Sequence, residues 1–167
     1  MTAAAQIKGF LAKYTPEIAS QLQAAREHLA SHFPQGFELV YDNYNALVFG
    51  IASSMRASDV IVSVAGYPKW VTLFFFRGVD LPDPTRILEG SGAQIRSVRL
   101  HPPSKLHEPS VQALIAAARA SASSALAAAP PLTTVIKSVS AKQRERKPAT
   151  GAKAASPKAR RAGRSGA

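Results

Sequence analysis

Apolar residues recur at spacings of three and four at Ile7, Phe10, Leu11 and Tyr14, which predicts a short amphipathic helix near the start of the chain. Thr15-Pro16-Glu17 then reads as a helix start: a capping hydroxyl, a proline where no N–H is needed, and an acid near the positive helix end. Ile18, Leu22, Ala25 and Leu29 form the buried stripe of this second helix, and Pro34 and Gly36 end it. The period then changes to two. Phe37, Leu39 and Tyr41 share one face of a first strand, with Glu38 on the other, and Asp42-Asn43 turns the chain. Asn45–Ile51 is a second strand with Leu47, Phe49 and Ile51 aligned, and Val60–Ala65 is a third, reached through a polar loop over 53–58. Gly66-Tyr67-Pro68 turns into a fourth strand, Lys69–Arg77. Its two faces, Trp70/Thr72/Phe74/Phe76 and Val71/Leu73/Phe75/Arg77, are both largely apolar, which predicts a central strand covered on both sides.

Gly78 breaks that strand, and Asp83-Pro84 predicts one or two helical turns that close at Gly90. Ala93–Leu100 is a fifth strand. Glu108-Pro109 opens a last helix with the stripe Val111, Leu114, Ile115 and Ala118, stopped by Pro130-Pro131. Helices flanking a run of closely linked strands predict an α+β domain over residues 4–128, with an antiparallel sheet of about five strands in a two-layer arrangement. Residues 129–140 are either a linker or, through Thr133–Val139, a short edge strand. From Ala141 onward apolar side chains larger than Ala vanish, so 141–167 are expected to be a disordered basic tail that cannot offset its ordering entropy by burial.

Charge sharpens this division. The net charge is +11, but residues 1–129 hold 11 Lys/Arg against 9 Asp/Glu, whereas 130–167 hold 10 against Glu145 alone. The folded part is nearly neutral. With no cysteine, disulfides, thiolate metal sites and a Cys nucleophile are excluded. The N-terminal residues lack the apolar run of a signal peptide, and the longest apolar stretch, Val71–Phe76, is far short of the ~20 residues of a membrane helix. The expectation is a cytoplasmic protein with no membrane partner.

The chemistry-bearing residues form no catalytic pattern. His28 and His32 lie four apart on one helix, but no carboxylate completes a zinc motif, and His101 and His107 sit in a proline-rich connection. Asp80 and Asp83 flank Leu81-Pro82, and capping or turn formation accounts for them more simply than a cation does. Gly90-Ser91-Gly92 lacks dinucleotide-binding spacing, and no serine sits in a nucleophile elbow. Arg96 and Arg99 lie on opposite faces of a half-buried strand and call for partners: an internal ion pair to Asp42, Asp80 or Asp83, or an anion beside a pocket. Aromatic residues cluster as well. If helices cover one sheet face only, those on the other form a patch suited to a ligand or a partner subunit.

The runs YDNYNALVFG, ASD at 57–59, YPKWVTLFFFRGVDLPDP, LEGSG and IRSVRL resemble the YdhG-like family of domains of unknown function, over about residues 5–128 and on into VIKSVSAKQR. The resemblance implies a compact α+β domain with an antiparallel sheet packed on helices. Some relatives are described as frataxin-like intracellular iron chaperones, which implies iron held on acidic side chains; here the set is Asp42, Asp80, Asp83 and Glu89. The chain departs from that pattern, because its predicted N-terminal helices offer only Glu17 and Glu27.

Three functions follow as expectations. The first is a small non-enzymatic binding or scaffolding domain without a cofactor, contacting an unidentified ligand, a protein or a second copy through its sheet face or loops. Its candidate residues are Tyr41, Asp42, Asn43, Tyr44, Asn45, Trp70, Arg77, Arg96 and Arg99. The second is iron handling through the four carboxylates. The third is nucleic-acid association through Lys142, Arg144, Arg146, Lys147, Lys153, Lys158, Arg160, Arg161 and Arg164, which can track phosphates without reading bases.

Overall fold

The computed structural model describes residues 1–148. Four helices, α1 (Ala3–Leu11), α2 (Pro16–His32), α3 (Pro109–Ser121) and α4 (Ser123–Ala127), accompany six strands. These are β1 (Phe37–Asp42), β2 (Leu47–Ala52), β3 (Val60–Gly66), β4 (Val71–Phe75), β5 (Arg96–Arg99) and β6 (Thr133–Val139). They form one sheet in the order β5-β4-β3-β2-β1-β6. The first five strands are antiparallel to their neighbours, whereas β6 runs parallel to β1. The α+β class is therefore as expected, but the sheet is mixed and gains a sixth strand from Thr133–Val139, for which a linker and a short edge strand were the two expectations.

Local chemistry explains the helix starts. The Thr15 hydroxyl accepts from the Ile18 N–H, Pro16 occupies the first turn and Glu17 faces the helix dipole, as the motif requires. Leu22, Ala25 and Leu29 of α2, with Val111, Leu114, Ile115 and Ala118 of α3, bury their stripe on the sheet. The core joins them to Phe49, Val62, Leu73 and Phe75, so the helices cover a single face. The opposite face of β1 carries Phe37, Leu39 and Tyr41, and a small second cluster there gathers Leu39, Ala52 and Val60 with Phe76. The expectation that β4 is covered on both sides is thus corrected: Val71, Leu73 and Phe75 lie in the helix-side core, while Thr72 and Phe74 look onto an uncovered face.

Two further expectations change. No helix forms over 83–90. The Asp83 carboxylate does accept from the Ile87 and Leu88 N–H groups at 3.0 and 2.9 Å, yet Arg86 sits at φ 56°, which turns the chain out of a right-handed helix. The fifth strand is shorter than expected, Arg96–Arg99. At the α2–β1 connection Gly36 has φ +117°, and a Cβ there would stand 2.6 Å from the Ala52 carbonyl oxygen. Gly36→Ala is expected to cost more than about 1 kcal/mol in urea denaturation, because both the backbone angle and the space forbid a side chain.

Candidate functional site

The uncovered sheet face is built in rows set by strand register. Tyr41, Val48, Ala65, Thr72 and Arg99 form one row across β1 to β5. Leu39, Gly50, Ser63, Phe74 and Ser97 form the next. The middle strands therefore place their smallest residues side by side, while the flanking strands place tyrosine, leucine and phenylalanine. The result is a trough of about 380 Å³ whose floor is Gly50, Ser63 and Ala65 and whose walls include Tyr41, Phe74 and Phe76. Tyr67, from the β3–β4 turn, and Asn43 also border it. Its lining contains no acidic or basic side chain.

The hydroxyl oxygen of Tyr41, one of the trough's walls, is buried and has no hydrogen-bond partner among the described residues. A buried hydroxyl without a partner forgoes a bond it would make in water, a cost of ~1–3 kcal/mol. Burial pushes the Tyr41 phenol above its ordinary pKa, and that of Tyr67 likewise, so both remain neutral donors at physiological pH.

The trough continues at both ends. Past Tyr67 and Phe74 lies a smaller recess, of about 260 Å³, with Trp70, Glu89 and Arg99. There the Arg99 guanidinium stacks on the Trp70 ring at 4.1 Å and forms no ion pair among the described residues. Past Ala57, Val60 and Phe76 lies a cavity of about 620 Å³ that runs under Leu81 and Ile95 to α3. Of the residues expected to bind, Tyr41, Asn43, Trp70 and Arg99 line the trough and its first extension, and Arg77 lines the far cavity.

The remaining candidates are otherwise engaged. Arg77 pairs with Asp80 at 2.9 Å, and Arg96 donates to the Gly92 and Ile95 carbonyls. The internal ion pairs expected for Arg96 and Arg99 are therefore replaced by carbonyl contacts and aromatic stacking. The 43–45 loop stays exposed at Asn43 and Tyr44 but is tied to a later segment: the Arg144 N–H donates to the Tyr44 carbonyl, and Arg144 Nη1 donates to Asn45 Oδ1. Asp42 is fully buried. Its carboxylate accepts from Arg146 Nη1 and Lys13 Nζ, each at 2.5 Å, and from Gln143 Nε2 at 3.0 Å. Burial by itself would raise the Asp42 carboxyl pKa; the hydrogen bonds from Lys13, Arg146 and Gln143 outweigh it and hold the pKa below the usual value.

That arrangement corrects two expectations. The four carboxylates do not converge on a metal. Asp42 sits at the sheet end shared by Leu47, Gly66 and Val71, whereas Asp80 follows Phe75 at the other end and roughly 14 Å across three strand spacings. Asp83 caps its own loop, and Glu89 bridges to Ser97 through the backbone. Among the described residues no group of three or more His, Asp or Glu side chains is arranged to hold a metal ion. The tail, in turn, does not begin at 141. Gln143 and Arg146 are packed on the domain, and Lys147 donates to the Ala12 carbonyl, so Arg146 is not available to phosphates. Lys142 is exposed, while Lys153, Lys158, Arg160, Arg161 and Arg164 lie outside the described residues.

The histidines gather more closely than their spacing showed. The His28 ring lies 4.7 Å from His32 and 5.0 Å from His107, and it bonds to the Gln112 amide. Burial, with the two neighbouring imidazoles, lowers the His28 pKa against the raising effect of Gln112. Sequence reasoning missed Gly50, Ser63 and Ala65 as site residues. A signal was present: small residues alternate at Gly50/Ala52 and Ser63/Ala65 within two otherwise bulky strands. No helix among the described residues is long and apolar enough to cross a membrane. Comparison with family models, curated proteins and solved structures found no match.

Proposed function

We propose that this chain is a non-enzymatic binding domain of YdhG-like type, and that its ligand lies in the trough on the uncovered sheet face. The observation that carries this reading is the floor of Gly50, Ser63 and Ala65 between the walls of Tyr41, Phe74 and Phe76. Ligand sites are concave, mostly apolar and furnished with few polar groups, and a volume of about 380 Å³ falls within their usual range. An iron-chaperone role draws no support from the carboxylates: Asp42, Asp80 and Asp83 are each engaged by other groups, and no three of the set are arranged to hold a metal among the described residues.

The test is titration with Nile red, followed by its own emission and by that of Trp70, the single tryptophan, which lines the recess adjoining the trough. Saturable binding by the folded protein is expected, with affinity at least tenfold weaker in Ser63→Leu, whose side chain fills the floor. A melting temperature within a few degrees of the parent shows that this variant is folded. Absence of saturable binding overturns the reading. So does a sedimentation mass showing that two copies close the face on each other.

A further inference from the structure

Four parts of the chain meet at the sheet end that carries Asp42, Leu47, Gly66 and Val71. They are the α1–α2 link, the β1–β2 turn, the β3–β4 turn and the segment after β6. A row of neighbours runs across this end. Arg144 is tied to the backbone of Tyr44, and Asn43 and Tyr67 border the same hollow. The Tyr67 and Trp70 rings lie 5.7 Å apart and are inclined by 32°, and Arg99 closes the row 4.1 Å over Trp70. From β1 to β4 the row spans roughly 14 Å, three strand spacings. Its side chains keep contact with solvent: Tyr44 is 50% exposed, Asn43, Arg99 and Arg144 are exposed, and Tyr67 and Trp70 are half-buried.

The charge at this end is one-sided. Lys69, Arg99, Lys142, Arg144 and Lys147 form no ion pair among the described residues. Arg144 and Lys147 donate instead to neutral oxygens, of Asn45 and Ala12. The acids nearby are Glu17, Glu89 and Glu145, while Asp42 is taken up by Lys13 and Arg146. Seven cations therefore meet four acids, a surplus of three. The sequence that follows, 149–167, adds Lys and Arg and no acid. Cations alone suit any polyanion, but the rings between them narrow the choice. An unpaired base stacks on an aromatic face whatever its identity, and a guanidinium over a ring widens that platform. In a duplex the base faces are already covered.

We propose that this sheet end binds single-stranded nucleic acid, with bases on Tyr44, Tyr67 and the Trp70–Arg99 stack and phosphates along Lys69, Arg144 and Lys147. The inference does not require the trough to be occupied. The experiment titrates the full chain into a fluorescein-labelled oligothymidylate of about fifteen nucleotides, a length within the range of single-strand sites. Anisotropy reports binding, and Trp70 emission is followed with the unlabelled strand. A duplex of the same length and inorganic polyphosphate of matched charge serve as competitors. The single strand is expected to quench Trp70 and to bind at least fivefold more tightly than either competitor. Its affinity is expected to fall at least tenfold between about 50 and about 200 mM salt. Tyr44→Ala and Arg99→Gln are each expected to weaken binding at least fivefold, the effect of losing one stacked base, with melting temperatures within a few degrees of the parent. Lys147→Gln is expected to make the log–log salt slope shallower by about 0.7 while Trp70 is still quenched at saturation. A duplex or polyphosphate that competes as well as the single strand overturns the proposal. So does undiminished affinity in both Tyr44→Ala and Arg99→Gln with Trp70 emission unchanged, which would assign the binding to the basic sequence beyond residue 148. Absence of binding at the lower salt concentration overturns it as well.

Discussion

Asp42→Ala is expected to lower the unfolding free energy by about 3–5 kcal/mol, the cost of leaving a buried charge without its partner. Asp42 and Arg146 are both withdrawn from solvent, and their 2.5 Å contact joins the end of β1 to a residue more than a hundred positions later. The guanidinium also donates to the Asn43 carbonyl and lies over the Tyr14 ring at 5.3 Å, while its Nε atom has no hydrogen-bond partner among the described residues. Removing the carboxylate strands this cation in a site that excludes water. Lys13 reaches the same carboxylate but is partly exposed, so its share is smaller and screened by solvent. The measurement is the urea midpoint and slope at neutral pH. The double replacement Asp42→Leu/Arg146→Met is expected to cost less than Asp42→Ala alone, since removing both charges leaves neither uncompensated. A loss under 1 kcal/mol for Asp42→Ala would show that the pair is not closed in solution. The pH dependence has a definite sign. The folded carboxyl pKa is depressed, so the contribution is complete above about pH 4 and disappears as the pH falls through the folded value.

Tyr14→Phe is expected to cost about 2–4 kcal/mol, although it deletes a single oxygen. That oxygen donates to the Gly66 carbonyl at 2.5 Å and accepts from the Leu47 N–H at 2.9 Å. Leu47 and Gly66 face each other across β2 and β3, so one hydroxyl ties the segment after α1 to the end of two strands. Both backbone groups are buried, and each left unpaired carries a penalty of ~1–3 kcal/mol. Burial, partly offset by Arg146 and by the Leu47 hydrogen bond, raises the Tyr14 pKa to about 12. A raised pKa means that the stabilisation is complete below pH 10, where the unfolded phenol is protonated, and is lost as the pH climbs from 10 to about 12. Two pKa units correspond to ~2–3 kcal/mol. Alkaline denaturation that is steep in the parent and shallower in Tyr14→Phe is the expected result. Identical profiles would rule out this assignment of the hydroxyl.

The strands were legible because a period of two survives in short windows, and the start of α2 because Thr15-Pro16-Glu17 acts within one turn. What alternation cannot say is which side the helices take. On β1 they take the side of Glu38, Val40 and Asp42, which looks like the solvent side. Glu38 is neutralised there by a two-pronged contact with Arg26, at 2.8 and 2.9 Å, and by the Thr134 hydroxyl. Asp42 is neutralised by Lys13 and Arg146. These partners come from the α1–α2 link, α2, β6 and the segment after it, so no local window contains them. The more apolar side of β1 packs Phe37 and Leu39 into the small second cluster instead, and its Tyr41 forms a wall of the trough. Arg146 was misread for the same reason: in a run of Lys, Arg, Ala and Pro nothing marks one arginine as buried. The helix expected after Asp83 failed at a single residue, since a cap satisfies the first N–H groups but cannot impose the φ that Arg86 declines to adopt.

The placement of β6 beside β1 has a consequence for how this molecule comes into being. A nascent chain that has emerged from the ribosome only as far as α3 already holds β1 to β5, yet β1 is then an open edge with unpaired N–H and C=O groups along its length. Glu38 still lacks Thr134 at that stage, and Asp42 still lacks Arg146. Closure waits for residues 133–146, so release from translation before that point yields a product prone to aggregate and open to proteases. For the same reason, a shortened chain intended to remove the basic C-terminal run should end after Pro148 rather than after Ser140, so that the arginine clasp remains in place.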